Sequence, residues 1–216
     1  MIVTSTTVGP FQENSYLVAD ETTGRAVYID PGDEGDRLLD VLRQSGATLD
    51  AIWLTHAHVD HVGGIAAIRR LHDVPVLMHP ADVPLYERAA EIAAMYGIPF
   101  DPPPAIDAPL AGGQRLRVGG IGFDVIHVPG HAPGHVAFVA PDRVFGGDLL
   151  FRGSIGRTDL PYCDPVAMSD SLARISALPE SHVVHPGHGE PTTIGRELHD
   201  NPFLSGVARV IGSGAR

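Results

Sequence analysis

The stretch THAHVDHVGG, Thr55 to Gly64, places His56, His58, Asp60 and His61 within six residues. Neutral imidazole and carboxylate together suit zinc, iron or manganese rather than calcium. In extended backbone, residues two apart point to the same side. His56, His58 and Asp60 are therefore expected to share a side, with His61 offset where a helix begins. Gly63 and Gly64 allow that helix to pack close to the site.

The chain has 12 histidines. Seven lie in three clusters: His56, His58 and His61; His131 and His135 in PGHAPGH; His185 and His188 in HPGHGE. Each cluster follows a strand-like apolar run and coincides with glycine or proline. Strand ends and glycine-rich loops are where a site can be built without disturbing a core. His135 and His185 are candidates for orienting the ligating residues. His72, His79, His182 and His199 read as surface or packing residues, and His127 lies in a strand of mixed pattern. The single cysteine, Cys163, excludes an intrachain disulfide, which fits a reducing compartment, and reads as an incidental loop residue.

These residues need elements to position them. NSYLVAD and RAVYID are apolar, β-branched runs joined by ETTG, a hairpin signal. DPGDEGD is a turn with Asp33 or Asp36 as helix cap, and RLLDVLRQSG a helix closed by Gly46. LDAIWLT reads as a buried strand, HVGGIAAIRRLHD as a helix, VPVLMHP as a strand and ADVPLYERAAEIAAMYG as a helix. The proline-rich IPFDPPPAIDAP reads as a loop or crossover between halves. Strands follow at QRLRVG, IGFDVIHVPG, HVAFVAP and RVFGGD, a helix at DPVAMSDSLARISALP, and a short strand at HVVHPGHG before the closing GRELHDNPFLSGVARVI. Strand groups and helices thus recur twice, and two facing sheets with helices outside would bury both sheets.

The 216 residues suit one large α/β domain spanning 1–216, and 44% hydrophobic content can supply its core. Formal net charge is −11 and every basic residue is arginine. That field repels polyanions, so no nucleic-acid partner is expected. No apolar segment approaches ~18 residues, so no membrane span is expected. The N-terminus reads as a strand rather than a signal peptide, and a cytoplasmic location is expected. The sequence does not set an oligomeric state.

THAHVDHVGG resembles the HxHxDH signature of the metallo-β-lactamase superfamily, and DPG at Asp30, PGHAPGH, GGDLLF and PGHGE follow in that superfamily's order. The resemblance covers almost the whole chain. It implies an α/β fold, an αββα four-layer sandwich with a metal site at one sheet edge. It implies two divalent metal ions, zinc in first place with iron or manganese as alternatives. One would be bound by His56, His58 and His131, the second by Asp60, His61 and His188, with Asp148 bridging. A metal pair lowers the pKa of water to about 7, supplying a hydroxide at neutral pH. Asp60 would be catalytic by orienting it, and one metal would stabilise the oxyanion.

GDLLFRGSIGRTDLP, Gly147 to Pro161, and TTIGRELHDNPFL resemble the small bacterial glyoxalase II-like hydrolases that lack a C-terminal helical domain. That implies a small-molecule thioester substrate, typified by S-lactoylglutathione. A thiolate leaves without a dedicated acid. Full glyoxalase II enzymes carry a lysine and a tyrosine where this chain has Arg157 and Asp159, and a tyrosine near Glu190. Arg157 is the candidate for pairing with a substrate carboxylate, Arg152 a weaker one. The main competing reading is a mononuclear-iron persulfide dioxygenase, which shares a GRTD-like segment; RGSIGRTDLP and His188 favour the hydrolase. A β-lactamase fits less well because an amide nitrogen leaves poorly, and a nuclease would need basic phosphate-binding residues. A structural metal domain would hold its ion in a closed site, whereas seven ligands for two ions leave open positions.

Overall fold

The computed structural model describes residues 1–210. Among them, two six-stranded sheets face each other. The first contains β1 (Ile2–Val8), β2 (Glu13–Asp20), β3 (Arg25–Ile29), β4 (Thr48–Trp53), β5 (Val76–Met78) and β6 (Ala108–Pro109), in that spatial order. Its first three strands are antiparallel, and β3 to β6 are parallel. Parallel neighbours need crossover connections. These carry α1 (Gly35–Ser45), then α2 (Val59–Val62) with α3 (Ile65–Leu71), then α4 (Val83–Glu87) with α5 (Ala89–Tyr96).

The second sheet contains β7 (Arg115–Val118), β8 (Ile121–His127), β9 (Val136–Val139) and β10 (Arg143–Gly147). A two-stranded hairpin, β11 (Leu150–Phe151) and β12 (Ser154–Ile155), and α6 (Pro165–Ser176) follow. Then β13 (Val183–Pro186) pairs in parallel with β10, and β14 (Thr192–Thr193) and α7 (Ile194–Asp200) close the described fold.

Strand alternation explains the layering. On β2, Tyr16 and Val18 face the second sheet, while Leu17 and Ala19 face the helices of the first. On β9, Val136 and Phe138 face inward, while Ala137 and Val139 meet α6. The three resulting cores separate four layers: helices, sheet, sheet, helices. Aromatic edges knit the central core, with Trp53 5.3 Å from both Phe123 and Phe138. Burying each such phenylalanine contributes about 1.5–3 kcal/mol. No helix among the described residues is long and apolar enough to cross a membrane.

The structure differs from the sequence reading at helix interruptions. HVGGIAAIRRLHD is two helices, broken at Gly63 and Gly64, whose N–H groups donate to Gly32 O (2.8 Å) and Pro31 O (2.9 Å). A Cβ on Gly32 would lie 1.9 Å from the Asp60 carbonyl oxygen, and one on Gly63 2.5 Å from Gly32 O. The DPG turn and the HVGG turn therefore meet backbone to backbone. ADVPLYERAAEIAAMYG is a 3₁₀ turn at Pro80–Asp82 followed by two helices that separate at Arg88. Gly46, at φ 67°, closes α1 as expected. Its N-cap is Glu34, not Asp33 or Asp36, and Asp33 instead accepts the Glu34 N–H at 2.6 Å. The proline-rich segment carries β6, and GGDLLFRGSI contributes the unforeseen β11–β12 hairpin. Ile211, in the closing segment, lies outside the described residues.

Asp82, fully buried, joins the two sheets' loops. Its oxygens accept the Ala57 N–H at 3.1 Å and the Gly134 N–H at 2.5 Å. Asp82→Ala leaves both amides without their partner and is expected to cost about 2–4 kcal/mol in urea unfolding of the metal-free protein. Asp82→Asn, which keeps one acceptor, should lose less. Unchanged unfolding midpoints would show that the carboxylate is not the tie.

Candidate metal centre

Four strand ends converge on one edge of the sandwich. Beyond β4 the chain bends at Thr55, and His58, the N-cap of α2, is extended at φ −67° and ψ 150°. The expectation that Asp60 would continue that alternation stops there, because Asp60 and His61 lie in the first turn of α2. His131 follows β8, Asp148 follows β10, and His188 follows β13.

These loops bring together the seven residues expected from the sequence. His58 Nδ1 lies 3.0 Å from His56 Nε2 and 2.8 Å from His131 Nε2. His188 Nε2 lies 3.3 Å from Asp60 Oδ2 and 3.4 Å from Asp148 Oδ2. His61 Nε2 is 4.0 Å from Asp60 Oδ2 and 3.5 Å from Asp148 Oδ1. His131 Nε2 is 3.4 Å from Asp148 Oδ2, so Asp148 stands between the two triplets.

The outer hydrogen bonds fix which ring nitrogens carry protons. A carbonyl oxygen only accepts, so His131 Nδ1 donates to Arg157 O (2.8 Å) and His188 Nδ1 to Phe11 O (3.1 Å). Thr55 Oγ1 donates to Asp30 Oδ2 at 2.5 Å and so accepts from His56 Nδ1 at 3.1 Å. His61 Nδ1 donates to Asp30 Oδ2 at 3.0 Å. The inner nitrogens of His56 and His131 are then lone pairs that both point at His58 Nδ1, which can satisfy only one. His61 Nε2 and Asp148 Oδ1 are buried with no hydrogen-bond partner at all. A cation at each triplet resolves both conflicts, and the imidazole–carboxylate donor set fits zinc, iron or manganese. Asp30 also approaches His56 and His61. Its oxygens are already taken by the Thr55 N–H, the Thr55 hydroxyl and His61, which makes it an anchor.

Electrostatics divides the site in two. Burial, reinforced by the neighbouring imidazoles, lowers His56 well below the usual histidine range and His58 to about 3, so both stay neutral. Burial opposes charge on His61 and His188 too, but there Asp148 and Asp60 prevail, lifting His61 well above its ordinary value and His188 to about 10. Burial would also neutralise Asp148, yet the charge of His61, 3.5 Å away, and the approach of His188 Nε2 to 3.4 Å hold it ionised. The first triplet thus offers lone pairs, and the second demands positive charge.

Several supporting residues escaped the sequence reading. Asp30 was visible only as part of DPG; its φ of 48° and its bond from N–H to Trp53 O (3.1 Å) aim the carboxylate at Thr55 and His61. Glu13 is fully buried, and burial raises its pKa well above the carboxylate range. It accepts from Ser15 Oγ at 2.9 Å, which in turn accepts the Gly32 N–H at 3.0 Å. A buried acid in QENSY and a threonine directly before His56 were the available signals.

Other candidates settle differently. His135 packs 4.8 Å from the His56 ring and donates through Nε2 to Gly146 O at 3.0 Å, fixing the turn before Asp148. His185 touches none of the seven; it stacks on Phe145 at 4.8 Å and edges Tyr16 at 5.4 Å. His127 stacks on His79 at 4.3 Å. Arg157 lines the cavity above the site, but its guanidinium grips Asp159 at 2.8 and 2.9 Å. Arg152 is ion-paired with Glu190. Cys163 Sγ lies 3.1 Å from His131 O, steadying that loop.

The site opens onto a cavity of about 410 Å³ whose floor includes His58, Asp60, His131, Asp148 and His188. The described fold is shared with known proteins. The family model for the metallo-β-lactamase superfamily matches residues 8–189. Hydroxyacylglutathione hydrolase GloC of Haemophilus influenzae is 36% identical over 92% of this chain and 95% of its own length. The crystal structure of TTHA1623 in a di-iron-bound form matches with a TM-score of 0.88 and 50% identity, covering 94% of this chain and all of that one. That of BLEG-1, a B3 metallo-β-lactamase, matches with a TM-score of 0.88 and 36% identity at the same coverage. The αββα sandwich is therefore a metallo-β-lactamase fold, its histidine-rich edge has the donors for a two-metal centre, and the chain belongs to the metallo-β-lactamase superfamily, as a metal-dependent hydrolase.

Proposed function

We propose that the protein hydrolyses an acyl thioester, using two metal ions held by His56, His58 and His131 and by Asp60, His61 and His188, with Asp148 shared between them. The observation that supports this most is the pair of adjacent donor triplets, with buried lone pairs that no protein donor satisfies, forming the floor of an open cavity. A purely structural ion would be enclosed. The second triplet favours this reading over a mononuclear-iron persulfide dioxygenase. Similarity to a hydroxyacylglutathione hydrolase supports a thioester, with S-lactoylglutathione as the reference compound. Zinc is the proposed metal, with iron and manganese as the alternatives.

Two divalent ions held by these residues would supply Lewis acidity, activating water near neutral pH and polarising the scissile carbonyl. The chain's own residues do the rest. Asp60 lines the cavity and stays ionised: burial opposes this, but the charge of His61 and a hydrogen bond from His188 prevail. In this reading Asp60 accepts a hydrogen bond from the attacking water and orients it. Asp30 and Thr55 hold the rings of His61 and His56, and the Arg157 carbonyl holds that of His131. The leaving thiolate, from a thiol of pKa ~8.5, departs without a dedicated acid.

Thioester hydrolysis is expected to vanish on treatment with chelator and to return with zinc, and Asp60→Ala and His58→Ala are each expected to lower kcat roughly 100-fold or more. Full activity in a metal-free preparation would refute the mechanism. One iron per chain, with oxygen uptake on glutathione persulfide, would replace the reading with the dioxygenase.

Metal analysis separates the two triplets. Wild-type protein should carry two metal ions per chain. His61→Ala should retain one, because the His56, His58 and His131 triplet survives, whereas Asp148→Ala should weaken both. A wild-type content of one ion under saturating zinc would contradict the shared-carboxylate arrangement.

A further inference from the structure

The cavity over the metal centre has walls of a different character from its floor. Helices α4 and α5 contribute Leu85, Ile92, Met95 and Tyr96, and the loop after β12 contributes Leu160 and Tyr162. Its volume, about 410 Å³, falls in the usual range of about 300–1,000 Å³ for small-ligand pockets. Large apolar side chains that stay exposed cluster at its mouth: Met95 is 77% exposed, Tyr96 59% and Tyr162 48%. Phe11 stands against Tyr96 edge to face at 5.4 Å. A contiguous exposed apolar patch next to a polar centre marks a surface kept for a ligand.

The charged groups on these walls are already matched. Arg88 holds Glu91 through Nε (2.9 Å) and Nη2 (3.1 Å), and its Nη1 donates to the Tyr162 hydroxyl at 3.3 Å. Arg157 is doubly bonded to Asp159. Among the described residues lining the cavity these are the two arginines, and there is no lysine in the chain. Glutathione carries two carboxylates. Seating either on Arg88 or Arg157 displaces Glu91 or Asp159 and leaves that carboxylate unpaired beside it, in a chain of net charge −11. The exchange yields no net electrostatic gain. An uncharged group loses nothing in this way and gains apolar burial on the cavity walls.

Resting on the thioesterase reading, we propose that the substrate is a neutral thioester with a large apolar acyl group, aliphatic or aromatic, seated between α4, α5 and the Leu160–Tyr162 loop, rather than a glutathione thioester. The carbonyl reaches the metal centre on the cavity floor, and the apolar chain extends along the wall.

The test uses zinc-loaded enzyme and thioesters of the uncharged thiol 2-mercaptoethanol, from acetyl to hexanoyl and phenylacetyl, against S-lactoylglutathione. The expected result is a kcat/KM at least tenfold higher for hexanoyl or phenylacetyl than for acetyl, and higher than for S-lactoylglutathione. Met95→Asp, at an exposed wall position, should reduce the acyl-length preference to less than about threefold. Ile92→Asp should act in the same direction. A flat response to acyl size, or preference for S-lactoylglutathione, overturns the proposal and leaves thioesterase activity standing. Absence of turnover on every thioester, with two metals bound, overturns both.

Discussion

Everything at the metal-binding edge depends on one electrostatic constraint: ligand atoms from separate loops are held facing one another at the floor of a cavity. His58 Nδ1 lies 3.0 Å from His56 Nε2 and 2.8 Å from His131 Nε2. Asp148 Oδ1 is buried without a hydrogen-bond partner, 3.5 Å from His61 Nε2. Such an arrangement is unfavourable unless a cation sits among them, because buried acceptors with no partner retain their full desolvation cost. The fold must therefore resist relaxation of these rings. It does so from behind, by fixing the far nitrogen of four of them to Arg157 O, Phe11 O, Thr55 Oγ1 and Asp30.

That resistance needs rigid loops, and rigidity here comes from backbone contacts where side chains would not fit. Gly32 and Gly63 let the DPG turn and α2 share hydrogen bonds directly, so Asp30 and His61 belong to one rigid unit. Asp82 performs the equivalent task across the sheets, joining the Ala57 and Gly134 amides and hence the His56–His58 and His131–His135 loops. Asp30 is held at positive φ, a conformation that costs about 1–3 kcal/mol for a non-glycine residue and persists only where the surroundings over-determine it. Bonds to Thr55, His61 and Trp53 O supply that determination.

The sequence made the layers and the seven converging residues legible because each leaves a local trace. Apolar runs mark strands, glycine and proline mark their ends, and tightly spaced histidines mark a metal. What it concealed are relationships whose partners lie far apart. The split of HVGGIAAIRRLHD is decided by Gly32, some thirty residues earlier, not by local helix preference. Asp82 looks like an ordinary capping acid until Gly134 is placed against it. His185 shares its sequence cluster with His188, yet one residue points into the inter-sheet core and the other into the site. That difference follows from where β13 ends, which spacing alone does not report. Asp60 misled in the opposite way: period-two reasoning groups it with His56 and His58, but the chain turns helical at Val59 and carries it to His188.

Charge distribution unites the metal centre with its cavity. A net charge of −11, without a lysine, creates a field that attracts divalent cations and repels anions. The arginines near the site do not cancel that field locally, because Arg88, Arg152 and Arg157 each hold a carboxylate of their own. Cations therefore find both long-range attraction and, at the floor, lone pairs already oriented to receive them. The walls offer the reverse: aromatic and aliphatic side chains that take part in no ion pair and give no advantage to a charged ligand. One cavity thus joins two environments of different physical type, a floor of metal-ligating donors and a wall of apolar side chains.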